Sequence, residues 1–148
     1  MKWTDILGLV TFKPGPSGAD VTGLQEEITK LYPTIDSTYE DLGHDEPVIT
    51  SGTDSHEDKP GSLHNDGLAI DIRGNDKDES DNEKLADELQ SRLDAQYGDG
   101  DYEVVFEDYH GPDDARDHIH LEYDPDVPPT VREDMNNVKG DAYGYCPA

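Results

Sequence analysis

Residues 62–73 read SLHNDGLAIDIR. Leu68, Ile70 and Ile72 alternate with Ala69, Asp71 and Arg73, the period of two that marks a β-strand with one apolar face. Asp71 therefore points away from the two isoleucines that flank it. His64 lies on the loop feeding this strand, and Gly67 gives that loop the backbone freedom to fold the imidazole back over it. A second segment, DHIHLEY at 117–123, has the same period: Ile119 and Leu121 take one face, His118 and His120 the other. If both strands join one sheet with their apolar faces together, Asp71, His118 and His120 share its opposite face.

Outward from these strands, KPGPSG at 13–18 reads as a linker or turn. A helix is expected from about Val21 to Tyr32, with Leu24, Ile28 and Leu31 on one face, Asp20 or Thr22 as cap and Pro33 as stop. PVITSG at 47–52 has the character of a short strand, and 53–61, which contains His56, that of a polar loop. After Arg73 comes an acidic loop over 74–83. A second helix follows from about Asn82 to Tyr97, where Leu85, Leu89 and Leu93 recur every four residues and Gly98 closes the pattern. Tyr102 to Glu107 is a further strand and 110–116 a polar loop. Helices and strands mix without a regular βαβ repeat, so the expected fold is α+β, a small antiparallel sheet with helices packed on one side. Residues 1–123 form the expected domain, and 124–148 a tail rich in Pro, Asp and Gly.

The chain has 148 residues, 36 Asp+Glu against 11 Lys+Arg, and a formal net charge of −25. Such a charge repels nucleic acid and anionic membrane, which removes both as partners. Low hydrophobicity with high net charge is also the signature of disorder. Here, however, the acids interrupt apolar segments of clear periodicity and lysine is scarce. That pattern fits a folded protein adapted to molar salt, where the Debye length falls to about 3 Å and repulsion is screened. The single cysteine, Cys146, excludes an internal disulfide and a Cys-rich zinc knuckle. The N-terminus MKWTDILGLVTFK is interrupted by Asp5 and lacks a small-residue cleavage site, so no signal peptide is expected. No segment reaches the apolar length of a membrane span. A soluble protein of a high-salt environment is expected.

Two imidazoles and a carboxylate suit Zn²⁺, and three protein ligands leave the fourth position open for water. A closed structural zinc site more often uses four ligands, typically with thiolates, which are lacking here. Ser62 is no nucleophile, because no strand–elbow–helix pattern surrounds it. It reads as a turn residue or a partner to a ligand. His44 and His110 read as loop residues, and the acidic loop has no EF-hand spacing for Ca²⁺.

SLHNDGLAIDI at 62–72, followed by HIH at 118–120, resembles the M15 zinc peptidases. That group comprises D-Ala-D-Ala carboxypeptidases, phage L-alanyl-D-glutamate endolysins, murein endopeptidases and Hedgehog-like domains. Ser62, His64, Gly67, Ala69 and Asp71 match the family's Ser-x-His-x-x-Gly-x-Ala-x-Asp motif position by position, and the likeness covers about residues 47–123. The resemblance implies a Hedgehog/DD-peptidase-like fold with His64, Asp71 and His120 as zinc ligands. It implies His118 or Asp117 as the base. Strand geometry favours His118, which shares a face with His120. The family's arginine after the preceding strand has no counterpart in SGTDSHEDK at 51–59, where His56 or Lys59 would have to stand in. Ser62, His56 and Arg73 are the expected substrate or supporting contacts.

The implied activity is hydrolysis of a peptide bond in cell-wall or surface-layer material. The implied context is a virus-encoded lysis or entry function in an extreme halophile, in the host cytoplasm before lysis or on the virion. The competing expectation is a tail or other virion protein that keeps the fold, with its C-terminal segment as an assembly contact.

Overall fold

In chain order the elements are β1 (Trp3–Thr4), β2 (Thr11–Phe12), α1 (Glu26–Thr29), α2 (Tyr32–Asp41), β3 (Val48–Ser51), β4 (Ala69–Arg73), α3 (Glu79–Tyr97), β5 (Tyr102–Glu107) and β6 (His118–Tyr123). The computed structural model describes residues 3–4, 10–13, 19–53, 63–64, 66–108 and 116–125. His56, Lys59, Ser62, His110, Cys146 and most of the 124–148 tail lie outside the described residues.

The strands form one six-stranded sheet in the order β1-β2-β3-β4-β6-β5. An α+β fold with a small sheet is what the sequence predicts, but the sheet is mixed rather than antiparallel. β2 pairs with β3 in parallel, Thr11 beside Val48 and Phe12 beside Ile49. The intervening chain carries α1 and α2, long enough to return a strand in the same direction. The remaining pairs are antiparallel, and β6 lies between β4 and β5.

The alternation read from the sequence sorts the two faces. Ile70, Ile72, Ile119, Leu121, Val104 and Phe106 join one buried cluster with Ile28, Leu31 and Ile35 from the α1–α2 region and Leu85, Leu89 and Leu93 of α3. The helices thus cover the apolar face. Partners across an antiparallel ladder point the same way, so the register Asp71–His120–Val105 and Arg73–His118–Glu107 defines the other face.

Two helices depart from expectation. The one expected over Val21 to Tyr32 is short, Glu26–Thr29, and Pro33 does not stop it. Pro33 instead sits in the first turn of α2, where its missing N–H and fixed φ cost nothing. Tyr32, Ile35 and Tyr39 are the inward positions of α2. The helix α3 begins three residues early, inside the supposed acidic loop. The Asp78 side chain accepts from Asp81 N at 2.8 Å as N-cap, and Glu79 and Asp81 occupy the first turn. Carboxylates there offset the unsatisfied N–H groups and the positive end of the helix. Gly98, at φ +100°, closes α3 as expected.

Candidate metal centre

His64 is held by a short turn whose backbone closes tightly. Gly67 N donates to His64 O at 3.1 Å and Leu68 N to Leu63 O at 3.0 Å. Gly67 adopts φ +73°, and a Cβ there would lie 2.1 Å from Gly23 O. The glycine is therefore required both by the left-handed backbone and by the neighbouring chain. This packing folds His64 back over β4, fully buried.

Three side chains converge on one point. His64 Nε2 lies 3.3 Å from Asp71 Oδ1, and His120 Nδ1 lies 2.9 Å from the same oxygen. All three ligand atoms are within 4.8 Å of one another. The hydrogen bonds on the far side of each ring set the tautomers. His64 Nδ1 is 2.8 Å from the Gly52 carbonyl and so donates to it, which leaves Nε2 as the lone-pair nitrogen. His120 Nε2 is 2.9 Å from Glu122 Oε1 and donates to it, which leaves Nδ1 facing Asp71.

With both rings neutral, two nitrogen lone pairs and a carboxylate oxygen face one another, an arrangement that a cation satisfies and that a proton on His120 Nδ1 otherwise relieves. Tetrahedral coordination at about 2.0–2.1 Å has ligand–ligand edges of about 3.3–3.4 Å; the His64–Asp71 spacing of 3.3 Å matches this, while His120 and Asp71, at 2.9 Å, stand at hydrogen-bond distance. The outer hydrogen bonds orient both imidazoles, as in carboxylate–histidine–metal arrangements. These residues fit a metal ion.

A second trio, Glu107, His118 and His120, also lies within 4.8 Å and shares His120. His118 Nδ1 donates to Arg116 O at 2.8 Å, while its Nε2 is 3.2 Å from Glu107 Oε1 and 3.5 Å from Asp71 Oδ1. Burial opposes a proton on His118, but Asp71 and then Glu107 outweigh it and raise the ring to about 9. Burial likewise opposes protonation of His120, and its bonds to Asp71 and Glu122 raise it well above the ordinary range. Asp71 is held well below the carboxylate range. Burial works against this, but the charges of His118 and His64 and the hydrogen bond from His120 prevail.

Of the expected site residues, the structure therefore brings His64, Asp71, His118 and His120 together. Arg73 pairs with His118 across the ladder and lines a neighbouring cavity with Asp117, which belongs to neither ligand trio. Ser62 and His56 lie outside the described residues. Sequence reasoning missed Glu107 and Glu122. Their signal was available: Glu103, Val105 and Glu107 alternate with Tyr102, Val104 and Phe106, and Glu122 stands two residues after His120, on its face. The chain matches no protein-family model, no curated protein and no solved structure.

Proposed function

We propose that the protein is a zinc-dependent peptidase with the Hedgehog/DD-peptidase-like arrangement, acting on a peptide of cell-wall or surface-layer material. The convergence of His64 Nε2, Asp71 Oδ1 and His120 Nδ1 carries this reading, and the ordered motif at 62–72 with its His-x-His partner supports it. Zinc on three protein ligands supplies a Lewis acid that polarises a carbonyl and brings the pKa of bound water toward about 7.

The chain's own residues supply the proton path. With Nδ1–H committed to Arg116 O, His118 exchanges its proton at Nε2, the nitrogen that faces Asp71 and Glu107. That atom accepts the proton of the attacking water and returns it to the leaving amine. His64, Asp71 and His120 would hold the cation, and its charge beside Asp71 would favour the neutral His118 that a base needs. Glu107, buried with Oε2 in no hydrogen bond among the described residues, keeps the ring oriented. His118 is preferred to Asp117 as base because its ring adjoins the ligand oxygen.

The acidic composition supports a working environment of molar salt, and within it we read the role as virus-encoded lysis or entry. The test is metal analysis with hydrolysis of wall or surface-layer peptides in molar KCl. One zinc per chain is expected. His118→Ala should retain it while losing about 10²–10⁴-fold in kcat. A protein without zinc or activity that is firmly built into virus particles would instead be a structural virion component.

A further inference from the structure

Glu107 is a buried carboxylate that the ligand set His64, Asp71 and His120 leaves unused. It stands on β5 opposite His118 of β6 and is 2 % exposed. Its Oε1 lies 3.2 Å from His118 Nε2, and its Oε2 accepts no hydrogen bond among the described residues. A buried carboxylate oxygen without a donor is costly unless a cation stands against it.

His118 offers the matching donor atom. Its Nδ1–H is committed to Arg116 O, so Nε2 carries the lone pair of the neutral ring. The spacing of 3.2 Å between this nitrogen and Glu107 Oε1 is close to the edge of about 3.3–3.4 Å between two ligands of a tetrahedral zinc. Imidazole with carboxylate suits a divalent transition metal. His120 Nδ1 also lies within 4.8 Å of both groups, but it stands 4.0 Å from Glu107 Oε1 and 2.9 Å from Asp71 Oδ1. One nitrogen has one lone pair, so His120 serves the ion on Asp71 and leaves the neighbouring position with Glu107 and His118.

Two protein ligands completed by water hold an ion more weakly than three. The way in is past His118, whose side chain is 16 % exposed against 3 % for Glu107. There His118 lines a cavity of about 220 Å³ with Lys13, Thr50, Arg73, Asn75, Arg116 and Asp117. The cationic side chains on that wall oppose an incoming metal ion and weaken the position further.

We propose that Glu107 and His118 form a second, weaker position for a divalent transition-metal ion beside the first, filled only when the metal is in excess. An ion there takes the Nε2 lone pair that otherwise accepts the proton of the attacking water, so filling the position stops turnover. The position rests on the geometry of these side chains, whereas its effect on turnover rests on the peptidase reading.

The test is equilibrium dialysis against increasing zinc in molar KCl, with magnesium in excess to occupy exposed carboxylates, followed by elemental analysis of the protein. The unaltered chain should take up one zinc, and a second at tenfold or more higher concentration. Glu107→Gln and His118→Ala should each keep the first and lose the second, with the melting temperature as the control for folding. If Glu107→Gln does not fold, His118→Ala, at a half-buried position, decides. No zinc, a single zinc at saturation, or a second that persists undiminished in a folded variant would each overturn the position. Hydrolysis is read separately: kcat should fall over the zinc range that fills the second position, and an unchanged kcat there overturns the inhibition. Two zinc ions without any turnover keep the position and remove the peptidase reading, and one zinc with turnover does the reverse.

Discussion

Asp71 carries the site at the scale of single residues, because one of its oxygens faces His64, His120 and His118 at 3.3, 2.9 and 3.5 Å. Without a cation, protons take its place, and the charges on the imidazoles are what hold Asp71 ionised. Metal and protons therefore compete, and uptake of zinc should release protons at neutral pH and strengthen as pH rises, measurable by calorimetry in two buffers of different ionisation enthalpy. The stability of the metal-free protein follows from the same shifts. His118 keeps its proton to about 9 against 6.5 in the unfolded chain, so its contribution is complete below about 6.5 and is lost as pH rises through 9. Asp71, depressed, contributes above 3.8 and loses this as pH falls through its folded value. The metal-free protein should melt highest between these limits and lower at pH 9.5 than at pH 6.5. Glu122, buried on the far nitrogen of His120, tests the outer support. Glu122→Gln should weaken zinc affinity by about 10–100-fold without removing a ligand, read by competition with a chelator.

At the scale of elements, β4 and the turn before it decide the geometry. Gly67→Ala places a methyl group against Gly23 O in a left-handed backbone. A cost of about 1–3 kcal/mol is expected from the backbone alone, read as a lower denaturation midpoint, together with loss of bound zinc because His64 rides on this turn. The strands that bear ligands were legible in the sequence because each has a strict period of two, and the same rule applied to 102–107 would have exposed Glu107. The helices were less legible. α2 uses Tyr32, Ile35 and Tyr39 as its inward positions among polar neighbours, a sparse pattern, and Pro33 reads equally as the end of one helix or the start of the next. Packing against α3 resolves the two. Asp78, Glu79 and Asp81 suit a helix N-terminus as well as an acidic loop, since charge alone does not distinguish the two, and the Asp78 cap decides for the helix.

At the scale of the whole molecule, the charge divides into two populations. Most described acids are exposed or half-buried, but Glu103, Glu107, Asp108 and Glu122 are buried in the region of β5 and β6. The first population sets the salt dependence. With net charge −25, dialysis from molar to millimolar KCl should unfold the protein, followed as loss of the circular dichroism signal; an unchanged spectrum would refute salt adaptation. No helix among the described residues is long and apolar enough to cross a membrane. The chain alone determined which residues of β4, β6 and α3 face the core, the α+β class and the identity of His64, Asp71 and His120 as a potential ligand set, because these follow from local periodicity and motif. The order of the strands, the parallel pairing of β2 with β3, the carboxylates behind the histidines and the meeting of Lys13 with Arg73 and Arg116 came only from the tertiary structure. They depend on contacts between segments far apart in sequence, which burial of a shared core selects and which no local pattern encodes.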